Sequence, residues 1–191
     1  LWIEDLDGLL GLVALGAVEL HPWNATIEKI EQADQLVIDL DLGEGVLWQA
    51  VIEAALRMRD LIKREGLKAW PKLTGGKGVH LMAPLERSMT HDAAHTFARR
   101  LVGDLAATDP AHYILSAQAS RRGRIFLDYL RNGRGTTAVG TYSPRVRPGF
   151  PIAAPVTWKQ IEAGIAPDAF SMDHPFRVHH DVANRPVRRR K

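Results

Sequence analysis

No cysteine occurs among the 191 residues. That absence excludes a disulfide framework, a zinc–thiolate centre and a thiol nucleophile, and it suits a reducing compartment. Long apolar runs are missing too: no stretch approaches the ~20 residues that cross a bilayer as a helix. Nor does a basic-then-apolar leader precede the first helical pattern. The sequence therefore reads as a cytoplasmic protein with no membrane partner. Charge of one sign is not in large excess, since the formal net charge is +3. Internal repeats and low-complexity tracts are also absent.

What is present is ordinary in amount and uneven in place. Apolar residues make up 46% and charged residues 25% of the chain, enough for one domain with a real core. Acidic residues crowd the first third. Arg121, Arg122, Arg124, Arg131, Arg134, Arg145 and Arg147 fill a later stretch. Guanidinium groups bind phosphate bidentately, although a charge run of this kind is more often a solvated face.

Periodicity supplies the elements. Residues 3–18 fit a helix ended by Gly16, with Asp5-Leu6-Asp7 at its start, and Val18–His21 fit a short strand stopped by Pro22. Gln35–Leu42 alternates as a strand. Residues 44–65 form an amphipathic helix burying Leu47, Val51, Ala54, Ala55, Met58 and Leu61, closed by Gly66. Lys68–Leu73 and Gly78–Ala83 read as strands joined by Thr74-Gly75-Gly76-Lys77. Thr90 caps a helix with Phe97, Leu101, Val102 and Leu105 on one face. Arg124–Leu130 is a further apolar strand, broken by Asn132-Gly133. Thr136–Pro155 reads as a strand and then a Pro- and Gly-rich loop, and Thr157 caps a last helix. This order predicts an α/β fold of the α+β kind, a mixed sheet with flanking helices. Residues 1–175 form the core and 176–191 a basic tail or linker.

Four short segments could carry chemistry. In Val37-Ile38-Asp39-Leu40-Asp41-Leu42, residues two apart share a strand face, so Asp39 and Asp41 project together while the leucines and Ile38 enter the core. Two adjacent carboxylates repel unless a cation lies between them, and oxygen ligands suit magnesium or manganese. A strand-end turn is the plain alternative. In Thr74-Gly75-Gly76-Lys77-Gly78-Val79-His80, glycines let N–H groups converge on an anion, and Thr74, Lys77 and His80 offer donors for a triphosphate. The spacing is not that of a Walker loop, and a hairpin turn would explain the glycines alone. Asp128 lies in the apolar run Ile125-Phe126-Leu127-Asp128, where burial costs free energy unless a cation pairs with it. That cation is either an arginine neighbour or a metal shared with Asp39 and Asp41. His21, in Glu19-Leu20-His21-Pro22-Trp23, is either a phosphate or sugar ligand or a satisfied structural histidine.

Taken in order, these segments resemble the polymerase domain of bacterial DNA ligase D, within the archaeo-eukaryotic primase superfamily. The resemblance rests on Glu19–Trp23, Asp39–Asp41, Thr74–His80, Asp128–Asn132, Tyr142–Gly149 and Pro155–Trp158, and runs from Asp5 to Phe170. It implies a primase-polymerase catalytic core. Asp39, Asp41 and Asp128 would be the catalytic carboxylates holding two divalent ions, manganese preferred over magnesium. Thr74, Lys77 and His80 would take the triphosphate, and His21, Arg131 and Arg145 would line the nucleotide pocket. The implied activity is metal-dependent nucleotidyl transfer, ribonucleotide-preferring, for gap filling and end extension at DNA ends in non-homologous end joining. Implied partners are Ku, a ligase module, DNA ends and nucleoside triphosphates, at the nucleoid. In the family a segment preceding the position of Leu1 supplies residues that stack on the base and grip the DNA-end phosphate. Two rivals use the same residues: a metal-dependent phosphodiesterase, and a non-catalytic DNA-end binding module.

Overall fold

A computed structural model describes residues 1–117 and 119–173, leaving aside the side chains of residues 86–88. The expected tail at 176–191 lies outside the described residues. The elements follow in the order α1 (Leu6–Ala14), β1 (Gln32–Asp41), α2 (Trp48–Arg64), β2 (Trp70–Leu73), β3 (Gly78–Thr90), α3 (His91–Thr108), β4 (Tyr113–Ile114), β5 (Ile125–Asp128), β6 (Ala154–Pro155) and α4 (Trp158–Glu162). One sheet takes all six strands in the order β4-β5-β1-β3-β2-β6. The β4–β5 pair is parallel and the rest are antiparallel, so the mixed α/β expectation holds.

Strand alternation decides which face is core. Leu36, Ile38 and Leu40 of β1 join Leu81 of β3 and Leu127 of β5 in the main apolar cluster. Helices α2 and α3 close that face with Val51, Ile52, Ala54, Ala55, Met58 and Ile62 from one, and Ala94, Ala98, Leu101, Val102 and Leu105 from the other. Their spacing of three and four residues is the stripe a sheet-packed helix needs. Thr90 caps α3 by accepting from Ala93 N at 3.2 Å. Thr157 and Gln160 form a capping box on α4, and Trp158 Nε1 donates to Ala69 O at 2.9 Å, seating that helix beside β2.

Several expected boundaries move, each for a local reason. Helix α2 starts at Trp48, not Glu44, because Gly45 adopts φ +79° and breaks the chain there. Leu47 is consequently exposed at the N-cap, and Ile62 rather than Leu61 points fully inward. No strand forms over Val18–His21. Leu20 O and Pro22 O do accept from Gly140 N and Ala138 N, but Pro22 has no N–H to return and the pairing shrinks to a single bridge between Trp23 and Thr137. The strand expected from Thr136 is thus part of an irregular two-segment cover, residues 19–23 and 137–141. Helix α1 stands at Leu6–Ala14 with Asp5 as its N-cap, accepting from Gly8 N at 2.9 Å, and none of its residues is buried. Among the described residues no helix is long and apolar enough to cross a membrane.

Candidate active site

Residues directly opposite each other in a ladder share a sheet face, and here that rule builds a polar row. Asp39 of β1 lies opposite Asp128 of β5 on one side and His80 of β3 on the other. His80 in turn lies opposite Lys72 of β2. The row Asp128–Asp39–His80–Lys72 therefore crosses four adjacent strands on the face away from α2 and α3, and all four residues are buried. One ladder step away the same face turns apolar, with Val37 opposite Met82 and Met82 opposite Trp70.

Asp41, half-buried, continues the face past Asp39 and lies opposite Gly78. A Cβ at Gly78 would sit 2.9 Å from Asp41 Oδ1 and 3.4 Å from Asp39 Oδ1. The two carboxylate oxygens thus converge over a β3 residue that has no side chain.

Charge in the row is balanced by cations of the chain itself. Arg131 Nε stands 3.1 Å from Asp128 Oδ2 and 3.4 Å from Asp39 Oδ2. Arg121 Nη1 lies 3.4 Å from Asp41 Oδ2, with its guanidinium 4.0 Å above the Phe126 ring. Burial pushes Asp39 up, but His80, Arg131 and Lys72 together outweigh it and hold the carboxyl below its ordinary value. Asp41 has weaker compensation. Burial, followed by the Asp39 charge, pushes it up to about 6. Asp128 is also raised, by burial against the pull of Arg131. Burial lowers His80 despite the neighbouring carboxylate, and its Nε2 lies 3.2 Å from Asp39 Oδ2. That leaves His80 Nδ1 and Asp39 Oδ1 buried without a hydrogen-bond partner.

An orphaned carboxylate oxygen beside a second one, over a glycine, is a donor set that fits a hard divalent cation in kind. Among the described residues, however, no group of three or more His, Asp or Glu side chains is drawn into a metal-binding arrangement. Of the two cations weighed for Asp128, the one the structure shows is Arg131; Asp128 also lies opposite Asp39.

The glycine loop caps the row where β2 turns into β3. Gly75 adopts φ +65°, and a Cβ there would meet the backbone of Ile152 at 3.0 Å, so both conformation and space require glycine. At Gly76 a Cβ would lie 3.4 Å from the Arg147 guanidinium. Arg145 Nη1 donates to Thr74 O at 2.7 Å, and Lys77 is exposed at the tip. Three cations, Lys77, Arg145 and Arg147, thus border one backbone turn, which is the electrostatic form of an anion site. The Thr74 hydroxyl is engaged with Gly78 O at 3.1 Å, so its proton serves the turn itself. Glu19 binds the other side of Arg145: its Oε2 lies 3.1 Å from Arg145 Nε and 3.0 Å from His21 Nε2, and its Oε1 accepts from Val146 N at 2.6 Å. The His21 hydrogen bond, then the Val146 and Arg145 contacts against a modest burial cost, hold Glu19 down at about 2.

Asp39, Asp41, Asp128, His80 and Arg131 therefore share one face, and Thr74, Lys77 and Arg145 border the adjoining loop, to which His21 is joined through Glu19. From the sequence alone, Lys72, Glu19 as a hub and Asn132 have no role, and Arg147 is only one of an arginine stretch. Asn132, read as a chain breaker, is buried and bonds both backbone groups of Val37. Lys72 carried a usable signal, since a lysine inside Trp70-Pro71-Lys72-Leu73 is as anomalous as an aspartate inside β5.

Comparison with known proteins identifies the family. The family model described as the LigD primase-polymerase domain matches residues 1–184. The multifunctional non-homologous end joining protein LigD of Pseudomonas aeruginosa is 38% identical over 164 residues, covering 85% of this chain and 20% of that protein. The Mycobacterium tuberculosis LigD protein is 32% identical over 169 residues, covering 84% of this chain and 22% of its own length. The chain thus spans about a fifth of these curated relatives. The solved polymerase domain of Mycobacterium tuberculosis ligase D, in complex with DNA, superposes with a TM-score of 0.79 at 31% identity, covering 86% of this chain and 61% of that one. With its carboxylate row, glycine loop and mixed sheet in place, the chain belongs to the LigD primase-polymerase domain family.

Proposed function

We propose that this chain is the catalytic core of a nucleotidyltransferase that extends DNA ends and fills gaps in bacterial non-homologous end joining, with ribonucleoside triphosphates as preferred substrate. The observation that carries the reading is the direct pairing of Asp39 with Asp128 across β1 and β5, with Asp41 beside them and the cation-bordered glycine loop one turn away. Asp39, Asp41 and Asp128 would hold manganese or magnesium ions, which when bound assist hydroxyl attack and pyrophosphate departure. The chain itself positions and neutralises. Lys77, Arg145 and Arg147 offset triphosphate charge, and the Thr74–Gly78 turn fixes the loop. His80 holds Asp39 in orientation, and Arg131 keeps two buried carboxylates from repelling each other. Ku and a ligase module are the proposed partners, and the bacterial cytoplasm at the nucleoid the proposed location.

The test is extension of a labelled gapped duplex with a ribonucleoside triphosphate and manganese, comparing the chain with its Asp39→Ala/Asp41→Ala variant. Lengthening that disappears in the variant supports the proposal, whereas shortening of the strand would instead indicate a phosphodiesterase. A second reading has its own observation. Arg131 and Arg121 already pair with the three carboxylates, as a non-catalytic DNA-end binding module would require. Salt-dependent DNA binding that is unchanged by Asp128→Ala, with no extension, would favour that module.

A further inference from the structure

Lys72 is a lysine with 1% exposure, and beyond its charge acting on Asp39 the site described above gives it no task. Its ammonium donates to Val139 O at 2.5 Å. A buried ammonium is costly and needs acceptors around it. Here the acceptor belongs not to the sheet but to the cover formed by residues 19–23 and 137–141. The two segments of that cover are joined to each other by Gly140 N to Leu20 O at 2.7 Å and Ala138 N to Pro22 O at 3.3 Å.

That cover bears on the site at two points. Thr137 O accepts from Arg131 Nη1 at 3.3 Å, the same arginine that spans Asp39 and Asp128. Glu19, on the other segment, holds His21 and Arg145, and Arg145 grips the glycine loop at Thr74 O. Ala138 of the cover packs on Val37 and Met82 of the sheet. Beside that contact an open cleft of about 310 Å³ lies between sheet and cover, lined by Lys72, Gln35 and Met82 below and by Trp23, Asn24 and Val139 among the residues above. Across that gap the lysine stem and its hydrogen bond form a fixed spacer.

We propose that Lys72 is a positioning residue for nucleotide binding, a buried peg that sets the height of the 19–23/137–141 cover and thereby places Arg131 and the Glu19–Arg145 pair. The proposal rests on the nucleotide-site reading above and adds to it a residue that touches no substrate. A peg of this kind acts first on substrate affinity, apart from the charge Lys72 presents to Asp39.

The experiment uses Lys72→Met, which keeps length and volume but removes the donor, and Lys72→Ala with and without ethylammonium. Amide hydrogen exchange is followed at Ala138 and Gly140, together with calorimetric binding of a ribonucleoside triphosphate with manganese and the KM and kcat for extension. The expected result in Lys72→Met is exchange at Ala138 and Gly140 accelerated at least about tenfold, with Leu36–Leu40 of β1 unchanged. Triphosphate affinity should weaken about tenfold and KM rise to match, a larger change than in kcat. Lys72→Ala should share these defects and regain affinity as ethylammonium is added. Unchanged exchange at the cover, or unchanged affinity in a folded variant, overturns the peg. So does an affinity in Lys72→Ala that ignores the amine, and this arm decides the matter if Lys72→Met fails to fold. A wild-type chain that binds no triphosphate would instead overturn the nucleotide-site reading, and the exchange arm would still judge Lys72.

Discussion

Asn132 supplies Val37 with the strand partner that β5 does not. Its Oδ1 accepts from Val37 N at 2.9 Å and its Nδ2 donates to Val37 O at 2.7 Å, while a second Nδ2 bond reaches Tyr129 O at 2.8 Å. Strand β5 has ended at Asp128, so one side-chain amide continues the ladder that the backbone has left. Arg131 precedes Asn132 on the same short 3-10 turn, which places the arginine against Asp39 and Asp128.

Asn132→Leu removes this amide and leaves both Val37 backbone groups buried without partners. Each such group costs about 1–3 kcal/mol, so the variant should lose on the order of 3 kcal/mol in urea unfolding. It should also weaken triphosphate binding, because Arg131 loses its support. A wild-type urea midpoint in this variant would show that Val37 finds other partners.

Gly78→Ala tests the convergence of the acidic pair. The added methyl would lie 2.9 Å from both Asp41 Oδ1 and Leu40 O, closer than any stable contact allows. Overpacking of this kind costs about 1–3 kcal/mol, so the chain should still fold. Manganese-dependent triphosphate binding should be lost, as in Asp39→Ala. Calorimetry that finds binding intact would mean the carboxylates need not meet over Gly78.

Glu19 makes a prediction in acid. Its folded carboxyl is held at about 2 against an ordinary 4.5. Its contribution to stability is therefore complete above about pH 4.5 and is lost as pH falls towards about 2. Glu19→Gln lacks that contribution at every pH. The difference in unfolding free energy between wild type and variant should shrink steadily over this window when followed by circular dichroism. A difference that stays constant with pH would separate Glu19 from the acid transition.

Lys72 predicts the opposite window. Burial, opposed by Asp39 and reinforced by Arg145, lowers it to about 8 from 10.5. Below about pH 8 the lysine is charged in both the folded and the unfolded chain, and the fold carries the full cost of burying it. Between about pH 8 and 10.5 the folded chain releases the proton while the unfolded chain keeps it, so stability rises with pH. Relative to Lys72→Met, wild type should gain stability across that interval in urea titrations. A flat difference would place the ammonium in a better solvated setting than its 1% exposure implies.

Much of this chain is legible because strand and helix periods are local. Alternation in residues 35–42 determined that Asp39 and Asp41 share a face and that Leu36, Ile38 and Leu40 enter the core. The capping roles of Thr90 and Thr157, and the glycine turn after Leu73, were equally local. What the sequence could not determine is register between distant strands, because a ladder pairs residues by position in space and one slip exchanges its faces. Only the tertiary structure placed Asp128 and His80 opposite Asp39, gave Asn132 to Val37, and set Lys72 beneath Val139. It also decided that Pro22, lacking an N–H, reduces an expected strand to one bridge, and that the two-residue β4 finds its place only beside β5. The residue types of the acidic site were written along the chain. Their meeting was decided by which strands lie side by side.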